Sequence, residues 1–226
     1  DGDDSENDFL IGGKKTRVAL ADMDCRSWKR DLEADQEILG LLLTMLEDIT
    51  PEHDSKLQML IENLREKFAH PINGNNKKVI VFTAFSDTAE YLYENLAPAI
   101  KEKAGLHTGL VTGDALASTI PGLKADFNLI LTLFSPVSKE ADKLLPNNNN
   151  EIDVLIATDC ISEGQNLQDC DYLINYDIHW NPVRIIQRFG RVDRIGSRND
   201  VIQLVNYWPD IELDDYLSLK GRVEAR

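Results

Sequence analysis

Apolar residues change their spacing along this chain near residue 77. Upstream they return at helical intervals, so 27–49 and 55–68 read as two amphipathic helices, preceded by a short strand candidate within 14–21. Downstream, short strand candidates take over: 77–85 with the unbroken apolar run Val79 to Phe82, then 107–113, 153–159 with the run Val154 to Ala157, and 172–177. Runs without alternation suit strands covered on both faces, as in a parallel sheet. Between the first two lies a helix predicted over 88–103, with Ala89, Leu92, Leu96 and Ile100 at core spacing and Asp87 and Glu90 placed for a capping box. Strands alternating with helices predict an α/β fold built on a parallel sheet. The expected division is an acidic tail and helical segment over 1–76, then an α/β domain over 77–226.

The last helical stretch has an unusual polar face. In Asn181-Pro-Val-Arg-Ile-Ile-Gln-Arg-Phe-Gly-Arg-Val-Asp-Arg-Ile-Gly196 a helix can begin at Pro182, because a first-turn proline lacks only an N–H that would be unpaired anyway. At about 100° per residue, Arg184, Gln187, Arg188, Arg191 and Arg194 share one arc of about 120°, opposite Ile185, Ile186, Phe189 and Val192. Four guanidinium groups on one stripe repel one another, which favours a polyanionic partner. The planar arginine fork matches phosphate oxygens in pairs. A solvated face with weak ion pairs would give the same stripe, so the order of residues has to separate the two.

That order is Gln187-Arg188-x-Gly190-Arg191-x-x-Arg194, which resembles the last motif, Q-R-x-G-R-x-x-R, of superfamily 2 helicases and translocases. Ala157-Thr158-Asp159, followed by Gly164 and Asn166, resembles the same superfamily's motif V, A-T-D-x-x-x-x-G-x-(D/N). Between them, Asp177-x-x-Trp180-Asn181-Pro182 leads straight into the arginine motif. This lead-in is similar to Swi/Snf-type translocases, which track along double-stranded DNA, and the Asp193-Arg-Ile-Gly196 ending is similar to their bacterial RapA-like branch. DEAD-box RNA helicases usually place histidine at the first motif position and lack the lead-in. Trp180 would serve equally well as a core or hinge aromatic. The 77–85 strand resembles motif IV, and Thr112-Gly113-Asp114 the family's T-G-D position.

The resemblance implies a RecA-like C-terminal helicase lobe. Arg191 and Arg194 would reach the γ-phosphate of ATP as arginine fingers, with Gln187 beside them. Gly164 and Asn166 would lie near the ribose and phosphates, and Thr158, Thr83 and Gly113 at nucleic-acid phosphates. Asn166 stands where the family often has aspartate; its amide can still bond a hydroxyl, without charge. Residues 115–150 depart from the pattern: Ile120-Pro-Gly-Leu-Lys and Leu129-Ile-Leu-Thr-Leu-Phe-Ser-Pro136 read as a branch-specific insertion to which no contact is carried over.

Other expected parts are missing. No G-x-x-x-x-G-K-S/T loop is present; Gly12-Gly-Lys-Lys-Thr16 lacks the first glycine at the required spacing and a strand before it. No strand ends in an acidic D-E pair. By the resemblance, ATP would be shared with an N-terminal RecA-like lobe that also holds Mg2+, the helical segment before residue 77 would pack between the lobes, and this chain alone would be inactive. The expected partners are that lobe, double-stranded DNA, and RNA polymerase or another DNA-bound complex. Two alternatives stand beside this reading: the lobe of an RNA or single-strand helicase, and a RecA-like interaction module without catalysis. Arg191 and Arg194 in register speak against the last.

Charge opposes the usual nucleic-acid footprint, at −15 overall. It is unevenly placed, however: five carboxylates fall in 1–8 and six in 22–37, while 184–198 holds five arginines against Asp193 alone. The 1–8 stretch is expected to be disordered. Cys25, Cys160 and Cys170 are an odd number without metal-type spacing, and His53, His70, His107 and His179 are scattered, which predicts reduced thiols in a cytoplasmic protein and no metal site; the RapA-like resemblance implies that it is bacterial. No apolar run approaches the ~18 residues of a membrane span, and no signal peptide is evident.

Overall fold

The computed structural model describes residues 10–11, 18–19, 23–47, 49–146, 148–161, 164–179 and 181–208. The acidic 1–8 stretch, most of the 14–21 strand candidate and Trp180 lie outside them. The chain forms two compact units, Asp1–Ser55 and Lys56–Arg226. In the first, β1 (Leu10–Ile11) pairs antiparallel with β2 (Val18–Ala19), and α1 spans Cys25–Glu47. Asp24 Oδ1 accepts the Ser27 N–H at 3.1 Å, satisfying one of the donors that a helix start leaves open.

The second unit begins with α2 (Ser55–Ala69) and continues through β3 (Val79–Phe82), α3 (Ser86–Ala104), β4 (Thr108–Val111), β5 (Leu116–Ser118), α4 (Phe127–Phe134), α5 (Ala141–Leu144), β6 (Val154–Ala157), β7 (Tyr172–Asn175), α6 (Pro182–Val192) and β8 (Gln203–Asn206). The six-stranded sheet has the order β5-β4-β6-β3-β7-β8, parallel except for the β5 edge. β3, β6 and β7 are buried along their whole length, as their unbroken apolar runs require.

Alternate side chains of each central strand feed opposite layers. Val79 and Val81 pack with Leu57, Leu60 and Leu64 of α2 and with Ala89, Leu92 and Leu96 of α3. Ile80 and Phe82 pack with Ile130, Leu131 and Phe134 of α4 and with Val192 of α6. Helices therefore cover both faces, the three-layer solution for a parallel sheet.

Three expectations change. Helix α2 belongs to the sheet domain, because its Leu57, Leu60 and Leu64 face is fully buried there; the compact unit starts at Lys56 and not at residue 77. The supposed insertion contains α4, whose Ile130, Leu131, Leu133 and Phe134 are buried, so this stretch is the crossover between β4 and β6. The capping box does not form: α3 starts at Ser86 with Phe85 as its N-cap and no side-chain cap bond. The turn before α3 is instead held from outside, by Asp177 Oδ2 accepting the Ala84 N–H at 3.1 Å.

Candidate functional site

Helix α6 starts where its sequence predicts. Asn181 Oδ1 accepts the Val183 N–H at 3.0 Å, and Pro182 occupies the first turn. Its buried face is rotated from the expected one. Arg188 is fully buried with Ile185 and Val192, while Ile186 is 47% exposed. At about 100° per residue, Arg188 lies only about 40° from Val192, so the apolar arc extends to include it. The helix also stops at Val192, which places Arg194 on the following turn.

A buried guanidinium needs a partner, and Arg188 has several. Its Nε and Nη2 reach Asp159 Oδ1 and Oδ2 at 2.7 and 3.0 Å. Its Nη1 donates to Asn175 Oδ1 at 2.9 Å and to the Asp177 carbonyl at 3.1 Å, and the group lies 5.0 Å from the centre of the Phe82 ring. A fork with four such bonds holds the ends of β6 and β7 to α6. Arg188 is therefore not part of a phosphate-facing stripe. Asp177 extends the tie: its Oδ1 pairs with Lys56 Nζ at 2.9 Å, and that ammonium lies 3.9 Å from the Tyr176 ring centre. In the sequence Asp159 and Asp177 read only as motif positions with no partner assigned, although an acidic residue at each of two strand ends was the available signal.

The polar arc that remains carries Gln187 and Arg194, both exposed, and Arg184 and Arg191, both half-buried. Arg194 Nε donates to the Gly190 carbonyl at 3.2 Å. The Leu167 N–H donates to the Arg191 carbonyl at 3.0 Å, so α6 is hydrogen-bonded to the loop of Gly164 and Asn166. Gly164 adopts φ +73°, which glycine alone takes without strain, and a Cβ there would meet open space. Asn166 Oδ1 accepts the Gln168 N–H at 3.4 Å, leaving its NH2 directed elsewhere. Lys139, after α4, donates to Gln165 Oε1 at 2.7 Å, and burial lowers the pKa of its ammonium. Asp169 accepts the N–H groups of Val137 and Ser138 at 2.6 and 3.0 Å, docking the 135–140 turn on the same loop.

The expected nucleic-acid residues lie together at the carboxyl ends of the parallel strands, the usual ligand end of such sheets. Thr158 follows β6, and its N–H donates to the Val111 carbonyl at 3.2 Å; Gly113 follows β4 and is exposed. Thr83, after β3, does not face solvent: it is fully buried and its hydroxyl donates to the Phe85 carbonyl at 3.0 Å. It shapes the turn into α3. The site thus has two ends. Thr158 and Gly113 mark one; Arg191, Arg194 and the 164–168 loop run toward the other, where 168–170 leads into β7. The donors in the second group suit an anion. Among the described residues, no group of three His, Cys, Asp or Glu side chains could hold a metal ion, and no helix is long and apolar enough to cross a membrane.

Residues 55–196 match the family of the helicase conserved C-terminal domain. The ATP-dependent DNA helicase mph1 of Neurospora crassa is 28% identical over 196 residues, covering 86% of this chain and 14% of that protein. The RNA polymerase-associated protein RapA of Vibrio campbellii is 26% identical over 159 residues, covering 70% of this chain and 13% of its own length. The Hef helicase domain of Pyrococcus furiosus has a similar fold, with a TM-score of 0.50 at 20% identity, over 85% of this chain and 34% of that one. The chain spans less than a fifth of the length of these two sequence relatives.

Proposed function

The chain belongs to the helicase conserved C-terminal domain family, and from that membership we propose that it is the second motor lobe of an ATP-dependent double-stranded DNA translocase. In this reading Arg191 and Arg194 supply arginine fingers to ATP held mainly by an N-terminal RecA-like lobe, which also provides the ligands of Mg2+. The planar forks stabilise charge on the departing phosphoryl group. The Asn166 amide bonds a ribose hydroxyl, and Gly164 lets the backbone approach the phosphates. Thr158 and Gly113 meet the DNA backbone at the opposite end.

The observation that supports this reading is the bond from the Leu167 N–H to the Arg191 carbonyl, which ties the loop of Gly164 and Asn166 to the arginine helix. A half-site of this kind needs only a few phosphate contacts per lobe, which reconciles it with a net charge of −15. The test is DNA-stimulated ATP hydrolysis by the complete motor with and without Arg191→Ala. Loss of turnover supports the proposal, and turnover within twofold or so of wild type would sink it. The similarity to the ATP-dependent DNA helicase mph1 favours a second reading in which the motor separates strands. Displacement of a third DNA strand without unwinding indicates translocation on duplex; release of a paired strand indicates the second reading.

A further inference from the structure

We propose that Asn199 is a positioning residue for Arg194, holding the turn that carries this arginine onto the main chain of residues 168–170. The inference rests on reading Arg194 as a phosphate-facing residue and adds how a residue beyond the end of α6 keeps its place. Helix geometry fixes Arg191, whereas the backbone of Arg194 lies past the end of α6 at Val192 and only its side chain reaches back, Nε to the Gly190 carbonyl at 3.2 Å. A catalytic group misplaced by ~1 Å can lose ~100-fold in rate, so an arginine on a turn needs bracing.

The bracing is built from short polar side chains. The Ser197 N–H donates to the Arg194 carbonyl at 3.1 Å, and Ser197 Oγ donates to the Gln168 carbonyl at 3.3 Å while accepting the Asn199 N–H at 3.2 Å. Asn199 Nδ2 then faces three successive carbonyls, of Gln168, Asp169 and Cys170, at 3.0, 3.3 and 3.2 Å. Two amide hydrogens are shared among three acceptors, which pins 168–170 against the turn.

The orientation of this amide follows from a chain of donors. The Lys78 N–H can only donate, and it does so to Asn76 Oδ1 at 3.0 Å. Asn76 Nδ2 must therefore face away, toward the Asp169 carbonyl at 2.9 Å and Asn199 Oδ1 at 3.0 Å. Asn199 is left with its NH2 toward the carbonyls. A carboxylate of the same shape would oppose three carbonyl oxygens, and an apolar side chain would leave them without this donor. Leu167, one residue before this strip, is the residue that holds Arg191. Arg191 and Arg194 are thus referenced to one strand of main chain, 167–170, and keep their spacing relative to each other.

The test is a double-mutant cycle in the complete motor, reading kcat and the KM for ATP with DNA saturating. Asn199→Ala and Asn199→Asp should each lower kcat by about tenfold or more while KM changes by less than about threefold, since a displaced finger loses transition-state contact more than binding. In an Arg194→Ala background the same substitutions should cost nothing further, because the residue they position is gone. Thermal unfolding checks that each variant is folded at the assay temperature. If Asn199→Asp does not fold, Asn76→Ala, which leaves Asn199 in place but frees its amide to rotate, enters the same cycle with the same expectation. An equal loss in both backgrounds overturns the proposal, since Asn199 then acts on something other than Arg194. If Arg194→Ala alone leaves kcat intact, the phosphate-facing reading fails and this inference falls with it.

Discussion

Arg188 and Asp159 meet through two parallel hydrogen bonds of 2.7 and 3.0 Å, with the guanidinium fully shielded from water. Breaking a buried pair by removing one partner leaves an uncompensated charge, at a cost of about 3–5 kcal/mol. Asp159 keeps 24% of its side chain exposed, and Arg188 retains Asn175 and the Asp177 carbonyl as acceptors, so Asp159→Ala should lower unfolding stability by about the lower end of that range in urea titrations. Replacing both members, Asp159→Asn with Arg188→Met, should be clearly less destabilising than Asp159→Ala alone. If the double variant is the worse of the two, the pair is not self-contained and the bonds to Asn175 and Asp177 carry the energy.

For catalysis, Arg194→Lys in the complete motor should abolish translocation and reduce kcat by about a thousandfold while ATP binding persists. Lysine keeps the charge but loses the planar fork. Arg198→Ala, exposed and outside the motif, is the control and should be nearly silent. A reversal of these two results would show that the arginine register is wrong.

Thr158→Ala should weaken the coupling of hydrolysis to DNA, lowering the DNA-stimulated rate more than the DNA-independent one. Steady-state rates with and without duplex measure both. Equal loss would assign Thr158 to the end of β6 alone.

On the half-site reading proposed above, in which another lobe holds most of the ATP and the Mg2+, the isolated chain should show no ATP hydrolysis above blank, with or without DNA. Turnover that co-purifies with it and vanishes in Arg191→Ala would contradict the half-site.

Burial pushes the Cys170 thiol up to about 12 from its ordinary 9.0. Between those values the unfolded chain releases a proton that the folded chain keeps, so stability should fall with rising pH, by about 1.4 kcal/mol per unit from this group. The contribution is fully present below pH 9 and lost as pH rises toward about 12. Cys170→Ala should flatten the slope in urea titrations across that window. An unchanged slope would mean that the lysines and tyrosines account for it.

The sheet was legible because its central strands are buried on both faces, so Val79 to Phe82 and Val154 to Ala157 had to be unbroken apolar runs. The start of α6 was legible because a cap and a first-turn proline are local signals. What escaped was non-local. Nothing near Arg188 in sequence shows that Asp159, 29 residues earlier, waits to neutralise it, so a helical projection put it with the solvent-facing arginines. The α3 cap failed for the same reason, since Asp177 is 93 residues from the Ala84 N–H that it takes. In the sequence α4 reads as part of an insertion because only Asn128 and Thr132 interrupt its apolar run, too few to show a helical period; its start is marked by Asp126, which caps it through the Asn128 and Leu129 N–H groups.

The four central strands are only four residues long, a depth of about 13 Å at ~3.3 Å per residue. Thr158 sits at one end of that depth and the turn of Arg194 at the other. In the proposed motor, a block so short and so tightly cross-bonded would act as a stubby lever. Tilting it by about 15° carries one end past the other by about 3.4 Å, the axial spacing of phosphates along a single DNA strand. On the reading proposed above, a modest change of tilt at the nucleotide is already one unit of travel along the track, with no gearing between them.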